Sequence, residues 1–169
     1  MKKGLLTMAG VLLTVSLVSA GTTVPVLAEE ETTLVYGSGD YTRINPAMDE
    51  HGEINILIFN GLTAHDGDNQ VVPGLAESWD FDEETCTYTF HLAENVKWHD
   101  GEPFTAEDVK FTLDMATGNM VASILAGYVG CTVVDDYTIE IEIEKYNNEF
   151  IQSLASVPLS IQSKKAYDD

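Results

Sequence analysis

Four histidines, His51, His65, His91 and His99, are the side chains best suited to metal or proton chemistry. None stands in the His-x-x-x-His or His-Glu-x-x-His spacing that sets two imidazoles on one helix face, and Cys86 and Cys131 are too far apart in sequence to form a zinc pair. His91 falls on the polar side of an alternating strand and His99 beside Asp100 in a turn, settings that suit solvent or structural roles. Catalysis would need a nucleophile beside a base, or two positioned carboxylates. The chain has no Gly-x-Ser-x-Gly elbow, no phosphate-binding glycine loop and no dinucleotide fingerprint. Glu140, Glu142 and Glu144 alternate along one strand face, which reads as a solvated surface and not as an acid–base pair. The expectation is therefore a protein that is not an enzyme, with no catalytic residue, no metal site and no cofactor.

The elements that would position any site are densest from Val72 to Asp114. Glu77 to Asp82 opens a strand, Glu83-Glu84 turns, and Thr85 to Leu92 alternates strictly, with Cys86, Tyr88, Phe90 and Leu92 on one face. Asp100-Gly101 turns the chain again. Thr105 with Asp108 three residues on is a capping-box start for a helix whose buried stripe is Val109, Leu113 and Ala116. Upstream, Thr32 to Tyr36 reads as a strand ending at Gly37-Ser38-Gly39, where glycine permits a sharp turn. Between Asp49 and Leu62, Ile54, Leu57, Ile58 and Leu62 recur at helical spacing; the β-branched run would also suit a strand, and the glycine stop at Gly61 favours the helix. Thr63 to Val71, around Asp66-Gly67-Asp68-Asn69, has hairpin chemistry. The run Gly118 to Gly130 carries little signal. Beyond it, Val133 to Tyr137 leads into a strand that turns Tyr137, Ile139, Ile141 and Ile143 inward, and Asn147-Asn148 precede a short helix burying Phe150, Ile151 and Leu154.

Lys2 and Lys3, an apolar run from Leu5 to Val18 and Val26-Leu27-Ala28 have the form of a secretory signal peptide, the run being shorter than the ~20 residues a membrane span needs. Cleavage is expected after Ala28, with Ala20 as second choice, so that 1–28 is the leader and 29–169 the functional domain. Of the 8 basic side chains of the whole chain, 6 lie beyond Ala28 against all 28 acidic ones, a net charge of −22. Such a surface repels phosphate backbones and excludes nucleic acid as a partner, while it could steer cationic solutes inward. In an exported chain Cys86 and Cys131 could form a disulfide, but the reading favours two free or buried thiols.

The ordered residues Pro73, Leu75-Ala76-Glu77-Ser78-Trp79, Thr87 to Leu92, Val96-Lys97-Trp98, Asp100-Gly101 and Pro103 to Val109 resemble the signature of bacterial extracellular solute-binding proteins of family 5, the peptide and nickel binders of ABC importers. The resemblance implies a mixed α/β fold of periplasmic-binding-protein-like type II architecture, with this chain covering only the N-terminal part of the first lobe. It implies capture of oligopeptides or dipeptides outside the cytoplasmic membrane by a monomer, and delivery to a permease and ATPase, the membrane being met only through the permease. Lacking a second lobe, the chain is expected to bind solute weakly or not at all. Nickel or metal-chelate binding on the same scaffold, and a non-transport sensor or interaction module, remain open alternatives. By position in the resemblance, Asp40, Tyr41, Met48, Asp49, His51 and Asn60 are the candidate ligand contacts, with Asp40 or Asp49 opposing a ligand cation and Tyr41 stacking. No cysteine precedes Cys86, so the lipid anchor common in the family's Gram-positive members is not expected; a periplasmic, cell-surface or secreted location is.

Overall fold

The computed structural model describes Val35, Asn45, Pro46 and residues 54–168, the side chains of Met120 and Asp168 excepted. The expected leader, the strand Thr32 to Tyr36 apart from Val35, the turn at Gly37 to Gly39 and the start of the helix from Asp49 lie outside the described residues. Apart from Val35, the described residues belong to the compact unit 37–169.

Alternation in the sequence becomes a four-stranded antiparallel sheet. Its strands are β3 (Ala76–Asp82), β4 (Thr87–Leu92), β5 (Tyr128–Asp135) and β6 (Thr138–Ile143), in the order β3-β4-β6-β5. Pairing Phe81 with Tyr88, Tyr88 with Ile141 and Ile141 with Cys131 runs one apolar row across all four strands. Trp79, Phe90, Ile139 and Val133 form the next row. The opposite face carries Asp80, Thr89, Glu140 and Thr132. The period of two thus divides a core face from a wet one.

Helix α2 (Ala106–Thr117) lies on the core face, packing Val109, Leu113 and Ala116 into the cluster that holds Phe90, Ile139 and Ile141. Burial of each large member contributes about 1.5–3 kcal/mol. The capping box at Thr105 and Asp108 is formed, as the spacing predicts. Short helix α3 (Asn148–Ser153) is capped by Asn147, whose Oδ1 accepts the Glu149 N–H at 2.8 Å, and it buries Phe150 and Ile151 as expected, with Leu154 just past its end.

A two-stranded hairpin, β1 (Thr63–His65) with β2 (Val71–Pro73), precedes the sheet. Next to it the backbone crosses itself closely. A Cβ on Gly74 would sit 2.7 Å from the Gly61 carbonyl oxygen, and one on Gly61 would sit 2.6 Å from that of Thr63, so only glycine lets these segments touch. The contact lets the Leu75 and Ala76 N–H groups donate to Gly61 and Leu62 at 3.1 and 2.9 Å.

Three expectations change. The helix expected between Asp49 and Leu62 is, among the described residues, one turn, α1 (Asn55–Ile58); Phe59 is already extended at φ −119°, ψ 151°. It buries the polar Asn55 and leaves Ile56 and Leu57 exposed, so the Ile54–Leu62 spacing does not mark a helical core stripe. Second, Val133 to Asp135 belong to a strand of their own, β5. Register shifts at Tyr128/Gly130 and at Val133/Asp135 break its alternation, which hid it from pattern reading. Third, Cys86 is not on the face of β4: it occupies the preceding turn with φ 52°, in the left-handed region that non-glycine residues seldom visit.

Cys86 and Cys131 are both free. Strand β6 separates them, with Ile143 N–H donating to the Cys86 carbonyl at 3.0 Å on one side and Ile141 opposite Cys131 on the other. Two strand spacings, about 10 Å, exceed the ~7 Å Cα limit for a disulfide. Burial pushes the Cys131 thiol above its ordinary 9.0 and the Tyr128 hydroxyl upward as well. A raised acid stabilises the fold fully below its unfolded value, and that contribution is lost as the pH climbs above 9.0. Alkylation without reductant, read by intact mass, should add two labels, with Cys131 labelled faster as the pH approaches and passes 9.0; labelling that appears only after reduction would overturn the assignment.

Candidate functional site

Of the six candidate ligand contacts, Asp40, Tyr41, Met48, Asp49 and His51 lie outside the described residues. Asn60 is described and exposed. Its carbonyl accepts the Ile161 N–H at 2.9 Å, which lays the tail of α1 alongside the segment 159–163. That pairing places Asn60 on a small apolar cavity lined by Ile58, Phe59, Trp98, Phe104 and Ile161. The cavity adjoins a groove of about 330 Å³, with Ile58, Phe59, Trp98 and His99 bordering both. Gln162, Ser163, Ala166 and Tyr167 line the groove's other side.

Its walls are fixed by one carboxylate. Asp108, buried at the first turn of α2, accepts the Trp98 indole N–H at 3.2 Å and the Thr105 N–H at 3.0 Å through Oδ2. Oδ1 accepts the Lys164 N–H at 2.9 Å, where α4 (Lys164–Asp168) begins. One turn on, the Thr112 hydroxyl donates to the Asp108 carbonyl at 2.9 Å and accepts the Gln162 N–H at 2.9 Å. Outside the groove, Lys164 Nζ meets Glu107 at 3.0 Å and Lys165 Nζ meets Glu102 at 2.5 Å, exposed pairs that add little stability.

Beside the groove one buried side-chain amide is unspent. Gln162 is buried, borders the groove, and its Nε2 has no hydrogen-bonding partner. A buried amide donor left unpaired costs roughly 1–3 kcal/mol, which any acceptor reaching it would offset. Aromatic walls beside a buried polar group are the kind of lining that small-molecule pockets have.

The other sequence candidates do not converge here. His65 is exposed on the hairpin, and His91 Nε2 faces Asp80 across 3.7 Å on the wet sheet face. His99 alone borders the groove. Among the described residues no three His, Cys, Asp or Glu side chains gather as a metal site. Tyr128, whose buried hydroxyl lies beside the Cys131 thiol, lines none of these cavities. Sequence reasoning missed Gln162, because Ser160, Ile161 and Gln162 are all buried outside any helix or strand and follow no period.

The groove is thus bordered by aromatic side chains and by the buried Gln162 amide of a mixed α/β unit. The chain belongs to the bacterial extracellular solute-binding proteins, family 5: the family description "Bacterial extracellular solute-binding proteins, family 5 Middle" matches residues 70–169. It is 36% identical over 107 residues to a putative ABC transporter peptide-binding protein of Brucella ovis, covering 60% of this chain and 20% of that protein. It is 32% identical over 163 residues to the dipeptide-binding protein of Escherichia coli K12, covering 80% of this chain and 30% of that one. A crystal structure of NikZ from Campylobacter jejuni in complex with Ni(L-His) superposes with a TM-score of 0.69 at 27% identity, covering 78% of this chain and 27% of the other. The chain thus spans a fifth to less than a third of the length of these relatives. The family and the mixed α/β, periplasmic-binding-protein-like fold expected from the signature are those found.

Replacing Asp108 by Ala would strand three N–H donors around the groove, each costing about 1–3 kcal/mol when buried. We expect Asp108→Ala to lower unfolding free energy by about 3 kcal/mol or more, and Asp108→Asn, which keeps one acceptor oxygen, by less. Urea denaturation followed by tryptophan fluorescence checks this; equal midpoints for the wild type and Asp108→Ala would contradict it.

Proposed function

We infer that this chain is part of the solute-capturing component of an ABC importer that collects oligopeptides or dipeptides outside the cytoplasmic membrane and passes them to a permease driven by an ATPase. The observation that carries the reading is the unpaired Gln162 amide bordering a groove walled by Phe59, Trp98 and Tyr167. An unpaired amide donor beside rings suits a peptide, because every peptide offers carbonyl oxygens at regular spacing while its side chains need only a tolerant apolar surface. The family membership and the peptide- and dipeptide-binding relatives support it.

On this reading Asp40, Tyr41, Met48, Asp49 and His51 join Asn60 in facing the solute. The protein works as a monomer without enzymatic activity, residues 1–28 direct its export, and 29–169 are the working portion. The net charge of −20 favours solutes with an amino terminus or basic side chain.

A second reading, capture of a nickel chelate, is favoured by the superposition on a structure bound to Ni(L-His). The two separate in one titration. With trialanine as probe, we expect shifts of the Gln162 side-chain and Trp98 indole NMR signals at millimolar concentration, equivalent to roughly 4 kcal/mol of binding, and weakening of about tenfold in Gln162→Leu. A response to nickel–histidine with none to trialanine would replace the peptide reading by the metal one.

A further inference from the structure

Away from that groove, a cleft of about 530 Å³ opens at the free edge of β3, between the tip of the β1–β2 hairpin and α3. Its size lies within the roughly 300–1,000 Å³ of small-molecule sites. Its base is a shelf of rings. Phe81 lies 4.5 Å from Tyr88 and 5.1 Å from Tyr146, centroid to centroid, tilted by 43° and 53°. Tyr146 is 60% exposed although it packs on Phe81, so one aromatic surface is left to solvent. Trp79 also lines the cleft.

Around the shelf stand the carboxamides of Asn69, Gln70, Asn148 and Gln152. Gln70 Nε2 donates to the Asp68 carbonyl at 3.3 Å. Among the described residues the side-chain amides of Asn69, Asn148 and Gln152 make no hydrogen bond to the protein, while their backbones are held firmly. Asp66 Oδ1 accepts the N–H groups of Asp68 and Gln70 at 2.9 and 2.8 Å, and Asn69 holds the left-handed conformation at φ 61°. Asn148 and Gln152 lie on α3, whose start Asn147 caps. Three of the four amides are thus unspent and carried on fixed backbone, within reach of a polar ligand.

We propose that this cleft is a binding site for a neutral saccharide. A pyranose presents a face of C–H groups whose positive edges suit the negative face of an aromatic ring, and a rim of hydroxyls that both donate and accept. A carboxamide also donates and accepts, so four of them around the exposed Tyr146 ring complement that rim without charge. Asp80, the carboxylate on the lining, adds a hydroxyl acceptor; its pairing with His91 is loose at 3.7 Å. A phosphorylated or carboxylated ligand is opposed by the acidic surface. The site shares no lining residue with the groove at Gln162, so it is independent of the peptide reading.

Saturation-transfer NMR on the whole chain, with glucose, N-acetylglucosamine, maltose and chitobiose as probes, tests it. We expect transfer to the ring C–H protons of at least one probe, lost in Tyr146→Ala and in Gln152→Ala and retained in Gln162→Leu. Circular dichroism confirms that each variant is folded, and Gln152→Ala decides alone if Tyr146→Ala is not. No transfer to any probe, or transfer that survives both cleft variants, or loss on addition of trialanine, would overturn the proposal.

Discussion

The carboxylate of Asp108 is the constraint on which the rest of the described structure turns. A buried carboxylate is costly unless its oxygens are filled, and here three N–H groups from three separate stretches fill them: Thr105 before α2, Trp98 in the preceding turn and Lys164 at the start of α4. These donors lie 3, 10 and 56 residues from Asp108 in sequence, so one side chain converts a local helix cap into a tertiary joint. Thr112 repeats the device one turn on, its hydroxyl binding the Asp108 carbonyl and receiving Gln162. The sheet supplies one wall of the buried core, but it does not itself specify how the segment 159–164 lies against α2. The two polar joints do.

That division explains the site. The apolar rows of β3, β4, β6 and β5 would tolerate a repacked core of equal volume, whereas the groove depends on directed bonds at fixed lengths. Trp98 and Gln162 reach it through Asp108 and Thr112, and Asn60 through its carbonyl on Ile161. The backbone crossing at Gly61 and Gly74 sets the neighbouring floor by excluding any Cβ. A scaffold organised in this way fixes the walls of the groove by hydrogen bonds and leaves one buried amide donor beside it unspent.

The sequence revealed those parts of the fold that obey a local rule. The strands containing Tyr88, Phe90, Ile139 and Ile141 showed a period of two, and Thr105 with Asp108 showed a cap. The ordered signature from Pro73 to Val109 identified the family. What was hidden is non-local or irregular. Strand β5 carries two register shifts and so lacks alternation, Cys86 sits in a left-handed turn where pattern reading extends the strand, and α1 buries an asparagine in place of the apolar stripe its spacing suggests. Asn60 could be named from the resemblance, but nothing in Ser160-Ile161-Gln162 announces a run that is buried throughout, because its partners are Asn60, Thr112 and Asp108, distant in sequence.

Native-state hydrogen exchange tests the role of Asp108 most directly. If its carboxylate joins the three stretches, the Trp98 indole, Thr105 amide and Lys164 amide protons open only with α2 and share the protection of its central amides, although Lys164 itself is exposed and begins a five-residue helix. Exchange of the Lys164 amide at the rate of a fraying terminus, with α2 still protected, would show that the joint does not hold and would contradict the role assigned to it.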